Sequence, residues 1–163
     1  MQQYEYLMIF FCLAITLHNL EEALWLPAWS QQPSRFQKKV AANEFHFAVI
    51  VITGLAYLAT FSYLYFPMSN VVEWIFIGFV GSMIVNAIFP HLIATIVMKK
   101  YAPGLLTGII LNIPINSLIL YKLYVIDLIS LKEIIFSTII VGFILIAIIP
   151  ILFKIGRKTL SVQ

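Results

Sequence analysis

The stretch IIFSTIIVGFILIAIIPILF, residues 134–153, runs for 20 residues without a charged side chain. An α-helix needs about 20 mainly apolar residues to cross the hydrocarbon core of a bilayer. The rest of the chain has the same character, because 62% of its residues are hydrophobic, 10% are charged and the mean hydropathy is +0.99. Soluble domains carry about 25% charged residues. The sequence therefore predicts an integral membrane protein.

Four other segments are also long and apolar enough to span a membrane. Lys99, Lys100, Pro103 and Gly104 divide the longest apolar stretch into two of them. We expect the first span to end before Pro27, because proline cannot continue the hydrogen bonding of a helix. The sequence thus predicts an all-α, polytopic bundle in one membrane domain, residues 1–163, with five spans at about 5–26, 44–66, 72–98, 104–126 and 133–154.

The basic residues predict the orientation of this bundle. Eight of the ten follow spans one, three and five: Arg35, Lys38, Lys39, Lys99, Lys100, Lys154, Arg157 and Lys158. Such residues are enriched in cytoplasmic segments, so we expect the N-terminus outside and the C-terminus in the cytoplasm. The net charge of +3 has the same origin. With no basic run between aromatic residues, we expect the lipid bilayer as a partner and no nucleic acid.

The segment HNLEE, residues 18–22, places ionisable side chains inside the first span. His18, Glu21 and Glu22 are three and four positions apart, so they share one face of a helix. One acidic residue at the middle of a bilayer costs about 2.5–3.5 kcal/mol on insertion scales. Two adjacent carboxylates cost more, which predicts that protonation, a histidine or a bound cation offsets their charge.

Other polar residues lie at the same predicted depth. Near the cytoplasmic ends of spans two, three and four the sequence has Asn43, Glu44, His46, Asn86, His91 and Thr107. We therefore expect the acidic and histidine side chains of these spans to converge in one pocket, with His18, Glu21, Glu22, Glu44 and His91 at its centre. Span five has no ionisable residue between Glu133 and Lys154, so we expect it to be a packing helix.

Several of these motifs together resemble the HXXEE-domain family of membrane proteins. HNLEE at 18–22 fits the signature, and NEFH at 43–46, NAIFPH at 86–91 and YAPGLLTG at 101–108 are similar to further polar motifs of that family, in the same order. The resemblance implies a small bacterial multi-span protein with a catalytic or metal site, and it names no substrate. On that basis we expect a multi-pass protein of the bacterial cytoplasmic membrane.

The residue types in the cluster favour a divalent metal, with zinc first and iron second. Imidazole and carboxylate suit both ions, and three protein ligands with one water make a catalytic zinc site. We expect His18, Glu22 and His91 to be the ligands. Glu21 or Glu44 then remains as a general base. For Asn43, His46, Asn86 and Thr107 we expect contacts with the ligands or with substrate. The six histidines and glutamates leave a two-metal site open as well.

The leading functional hypothesis is a membrane enzyme that hydrolyses a lipophilic small-molecule substrate with the help of this metal. Three alternatives stay open. A buried glutamate and histidine can catalyse isomerisation of a lipid-like substrate without a metal. The acids can relay ions or protons, although Asn112 and Asn116 are the main polar groups of the outer half. A non-enzymatic network of hydrogen bonds between helices is the third. The sequence does not fix the oligomeric state.

Overall fold

A computed structural model describes residues 5–32 and 39–160, and within these ranges the chain forms helices and no strand. Five helices are long and apolar enough to cross a membrane. They are α1 (Glu5–Ser30), α2 (Ala42–Tyr65), α3 (Asn70–Met98), α4 (Leu105–Val125) and α5 (Leu131–Leu160). The predicted all-α bundle of five spans is confirmed. The side of the membrane on which each terminus lies stays a prediction, and Arg35 and Lys38 fall outside the described residues.

Helix α1 continues past the predicted stop at Pro27 and ends at Ser30. A proline within a helix leaves the carbonyl group four residues earlier without its donor. Here that carbonyl belongs to Ala23, and it accepts a hydrogen bond of 2.9 Å from Nε2 of His46 in α2. The prediction for this end was wrong because a side chain from another helix replaces the bond that proline removes.

Helices α3 and α4 each contain one wide, π-type turn, at Ala87–Leu92 and at Gly108–Asn112. In α3, Phe89 has an extended backbone with φ −126° and ψ 114°. A residue that precedes proline favours such a conformation, so Pro90 accounts for the kink. Wide turns of this kind are frequent at functional sites, and both adjoin polar residues that the sequence singled out.

The apolar core occupies one end of the bundle. It comes from the beginnings of α1 and α3 and from the ends of α2 and α4, which alternate in direction and therefore lie together. Phe76 packs edge-on against Phe11, with ring centroids 5.8 Å apart, and stacks on Tyr63 at 4.8 Å. The other end of the bundle is left for the polar side chains of HNLEE and its partners.

Candidate metal centre

Three side chains from two helices bring ligating atoms together at the polar end of the bundle. His18 and Glu22 lie one turn apart on α1, and His91 follows the kink in α3. Glu22 Oε1 is 3.8 Å from His18 Nε2 and 2.9 Å from His91 Nε2. One ligand atom from each residue lies within 4.8 Å of the other two. Ligands at about 2.0–2.2 Å from one ion stand roughly 3–4 Å apart, so the three are close to the required spacing.

Burial isolates this cluster from water. The relative exposures are 0% for His18, 3% for His91 and 14% for the Glu22 side chain. The two imidazole rings lie edge to face, with centroids 5.1 Å apart. Without an ion, a proton must lie between His91 Nε2 and Glu22 Oε1 at their distance of 2.9 Å. The site can therefore hold either a proton or a cation between these groups.

Asn86 reaches the same point from α3. Its Nδ2 atom is 3.0 Å from His18 Nε2 and 3.3 Å from His91 Nε2. An amide group can donate hydrogen bonds through nitrogen or accept them and bind a cation through oxygen. Asn86 is therefore placed to contact both imidazoles and any ion between them.

Glu21 points away from this cluster and holds the connection between α3 and α4. Its Oε1 accepts hydrogen bonds from the Tyr101 hydroxyl group and from the Gly104 backbone N–H at 2.7 Å. Its Oε2 accepts from the Thr107 backbone N–H at 2.9 Å and from the Thr107 hydroxyl group at 2.5 Å. Four donors thus satisfy a carboxylate that is only 5% exposed.

Thr107 connects this carboxylate to His18. The hydroxyl group of Thr107 has a single hydrogen, and it donates that hydrogen to Glu21. Its oxygen, 3.2 Å from His18 Nδ1, must then accept a hydrogen bond from that nitrogen. The neutral imidazole is thereby held with its proton on Nδ1 and a lone pair on Nε2, which faces Glu22 and accepts a hydrogen bond of 3.0 Å from Asn86 Nδ2. This is the tautomer that metal ligation through Nε2 requires.

Two residues of the α3–α4 connection complete the surroundings. Partial burial raises the pKa of Tyr101, and the hydrogen bond to Glu21 adds a smaller contribution, so that the pKa is about 12. Gly104 has a φ of 95°, in the left-handed region that favours glycine. A Cβ atom at this position would lie 2.6 Å from His91 Cε1. Only glycine therefore lets the backbone pass this close to the His91 ring.

Three of the predicted residues lie outside the cluster. Glu44 accepts hydrogen bonds of 2.6 Å and 3.2 Å from Arg157 at the end of α5. Asn43 accepts a hydrogen bond of 2.9 Å from the backbone N–H of Glu44, and His46 donates to Ala23 as described above. The structure thus brings together His18, Glu22, Asn86 and His91. It links Glu21 to them through Thr107, and it pairs Glu44 with Arg157 instead.

Comparison with known proteins shows the family of this chain. The family described as a protein of unknown function with HXXEE motif matches residues 9–119, which is more than half of the chain. The chain belongs to the HXXEE family. An uncharacterized protein, YrkK, of Bacillus subtilis (strain 168) is 67% identical over 153 residues, which cover 94% of this chain and 97% of that protein. No solved structure matches.

An apolar cavity of about 580 Å³ opens beside the cluster of His18, Glu22 and His91, between α1, α2, α3 and α5. Glu22, Asn86 and His91 form part of its wall, together with Asn19 of the same motif. Helix α5, expected to be a packing helix, supplies much of the opposite wall. The cluster is therefore accessible from a cavity whose surface is mostly hydrocarbon.

Reasoning from the sequence did not single out Tyr101 and Gly104 as partners of Glu21, or Arg157 as the partner of Glu44. The segment YAPGLLTG contained a usable signal, since a Pro-Gly pair between two spans indicates a tight connection. Arg157 gave no such signal, because it is one of several basic residues after span five. Its contact with Glu44 joins residues 113 positions apart.

Proposed function

We propose that this HXXEE protein is a metal-dependent hydrolase of the membrane that acts on a lipophilic substrate. The observation that carries the proposal is the cluster of His18, Glu22 and His91, whose ligand atoms lie within 4.8 Å of one another beside an apolar cavity. Three ligands leave a fourth position of a tetrahedral site for water. The cavity supplies a place for the apolar part of a substrate.

Zinc is the ion that this ligand set favours, with iron second. Two imidazoles and one carboxylate form the ligand set of known zinc hydrolases, and they also suit ferrous iron. The contacts around His18 support ligation, since the second nitrogen of a metal-bound histidine almost always donates to a nearby acceptor. Thr107 is that acceptor here, and Glu21 fixes Thr107 in turn.

The proposed reaction is the addition of water to a carbonyl carbon. If His18, Glu22 and His91 hold a zinc ion, that ion would lower the pKa of its bound water to near 7 and so supply hydroxide without a carboxylate base. Hydrolysis would consume one water: its oxygen would bond to the carbonyl carbon as the bond to the leaving group breaks, one of its protons would pass to the leaving atom, and the other would be released to solvent. We do not assign Glu21 or Glu44 as the base, because four donors occupy Glu21 and Arg157 occupies Glu44.

One contact favours a second candidate, a metal-free acid/base isomerase. Glu22 and His91 lie 2.9 Å apart at the wall of the cavity and can exchange a proton with a bound substrate. Transport has weaker support. Asn112 and Asn116 are fully buried, and none of their amide atoms has a hydrogen-bond partner in the described part of the chain. These two residues therefore do not extend the cluster into a continuous polar path through the bundle.

Elemental analysis of the purified protein tests the metal. We expect about one zinc or iron per chain in the wild type, and a large loss in His18→Ala and Glu22→Gln because each removes one of three ligands. Glu44→Gln is the matched control, since it neutralises a buried acid outside the cluster. A wild type that binds no divalent metal, or an equal loss in Glu44→Gln, would overturn the metal site.

Hydrolysis of chromogenic fatty-acyl esters in detergent micelles tests the reaction. We expect turnover that a strong chelator abolishes and that added zinc restores. Turnover that survives complete removal of metal would reject the metal-dependent mechanism and favour catalysis by the Glu22–His91 pair. Absence of ester and amide hydrolysis by the metal-loaded protein would reject the hydrolase.

A further inference from the structure

The cavity is elongated and lies along α5. Its wall on α5 is formed by residues on one side of that helix: Thr138, Ile139, Gly142, Phe143, Leu145, Ile146, Ile149 and Phe153. From Thr138 to Phe153 the helix rises by about 22 Å. The cavity is therefore a long groove that follows α5 over most of the apolar thickness of a bilayer, which is about 30 Å.

The groove is long for its volume. A cavity volume of about 580 Å³ follows about 22 Å of α5 and leaves room for an extended hydrocarbon chain. The groove also opens sideways toward lipid, because Phe143 is 70% and Ile146 is 62% exposed.

The two ends of the groove differ. At one end, Ser82 Oγ donates to the Thr138 carbonyl oxygen at 3.3 Å, and a Cβ atom on Gly81 would overlap the Thr138 hydroxyl group. Helices α3 and α5 thus touch there and close the groove in the interior of the bundle. At the other end lie Phe45 and Phe153, with ring centroids 6.2 Å apart.

The end at Phe45 and Phe153 lies at the surface of the bundle. Glu44 and Arg157 form an ion pair just beyond these two rings, and Arg157 is 71% exposed. Lys154 and Lys158 follow on the same helix end. Charged side chains thus surround this end, whereas the other end is closed inside the bundle.

The polar cluster lies between the two ends. On α3, the groove is lined from Ser82 at the closed end to His91 at the cluster, a distance of about 13 Å along the helix. An extended chain advances about 1.2 Å per bond, so this part holds about ten methylene groups. A carbonyl group that follows those methylene groups reaches Glu22, Asn86 and His91.

We propose that the groove binds one unbranched acyl chain of medium length, and that the substrate is a single-chain acyl amphiphile whose carbonyl group lies at the metal cluster. This inference rests on the proposed function for the position of the reaction, and on the groove alone for the shape of the ligand. A linear substrate differs in shape from a sterol, and the esters compared below distinguish the two.

A ladder of linear acyl esters tests the chain length. We expect kcat/KM to rise with chain length up to about ten carbons and then to level off or fall. Gly142→Leu fills the closed end, where a Cβ atom on residue 142 would lie 3.3 Å from Ser82 Oγ. It should reduce kcat/KM at least tenfold for the ten-carbon ester and much less for a four-carbon ester, which is too short to reach Gly142. Ile139→Trp gives the same test from a neighbouring position if Gly142→Leu does not fold.

Ile144→Phe is the matched control, because Ile144 is on α5 but does not line the groove. It should keep the wild-type dependence on chain length. Equal turnover of esters of all lengths, or of sterol esters and linear esters alike, would overturn the groove as the chain-binding site. That result would leave metal-dependent hydrolysis intact.

Binding of a fluorescent, linear polyene fatty acid separates the two proposals. We expect the wild type treated with chelator, without metal or turnover, to bind this probe, and Gly142→Leu treated in the same way to bind it at least tenfold more weakly. Binding that is unaffected by Gly142→Leu and Ile139→Trp would overturn the inference even if hydrolysis is found. Binding as expected, without hydrolysis by any metal-loaded protein, would instead overturn the proposed function alone.

Discussion

Two adjacent glutamates of α1, Glu21 and Glu22, lie in regions of opposite character. Glu21 faces the α3–α4 connection, where four hydrogen-bond donors occupy both of its oxygen atoms. Glu22 faces the cavity, where one of its oxygens contacts two imidazoles. Two carboxylates of equal sequence context thus have different tasks, because the helix turns by about 100° between them. The first holds the fold around the site, and the second remains available for chemistry.

Substitution of Glu21 should have the largest effect, a loss of stability of the metal-free protein. Glu21→Ala leaves buried donors of Gly104 and Thr107 without an acceptor, and each such group costs about 1–3 kcal/mol. We expect the free energy of unfolding to fall by about 3 kcal/mol. Glu22→Ala should change it by less than about 1 kcal/mol, because its contacts are few and one side of it is open.

Denaturant-induced unfolding in detergent micelles, with chelator present in all samples, measures this difference. The chelator matters because a bound metal would itself stabilise the folded state of the wild type. Equal destabilisation by the two substitutions would mean that Glu22 is as firmly built into the fold as Glu21. The division of labour between them would then be wrong.

Gly104 joins the two regions, and its substitution gives the next largest effect. In Gly104→Ala, the new side chain must accept a backbone φ of 95° and place its Cβ atom 2.6 Å from His91 Cε1. Strain of this kind costs about 1–3 kcal/mol. Displacement of the His91 ring should also weaken metal binding by about 10–100-fold, as loss of a supporting contact does.

Gly54→Ala provides the control for this substitution. Gly54 lies in α2, and a Cβ atom there would meet nothing within 4 Å. Alanine is the better helix former by about 1 kcal/mol, so this variant should be at least as stable as the wild type and keep its metal affinity, measured by competition with a chromogenic chelator. If Gly104→Ala behaves in the same way, the close approach to His91 has no consequence.

Much of this architecture was predictable from the sequence, because composition and spacing act locally. The five spans follow from apolar length, and the shared face of His18, Glu21 and Glu22 follows from the helical repeat. His91 could be placed at the same depth from the direction of α3. These features depend on no contact between distant segments.

The partners of the acidic residues could not be predicted in the same way. Glu21 meets Thr107 and Glu44 meets Arg157 only because of how the helices are rotated about their axes. Rotation depends on packing, which the spacing of residues within one span does not report. The continuation of α1 through Pro27 has the same cause, since it depends on His46 from α2.

The smallest expected effect is a change in stability at high pH through Tyr101, which donates a hydrogen bond to Glu21. Tyr101 is an acid whose pKa is raised from its ordinary value of 10.0 to about 12, so the folded state favours the neutral phenol. The stability that this preference contributes is fully present below about pH 10 and is lost as pH rises through about 12. The difference in stability between the wild type and Tyr101→Phe should therefore stay constant up to about pH 10 and become smaller above it.

Ultraviolet difference absorbance between the two proteins follows the ionisation directly, with Tyr65→Phe as the reference for an exposed tyrosine. Because Tyr101 is itself about half exposed, we expect a modest change in stability. Ionisation of Tyr101 near its ordinary pKa of 10.0 would show that its hydrogen bond to Glu21 is not maintained in the purified protein.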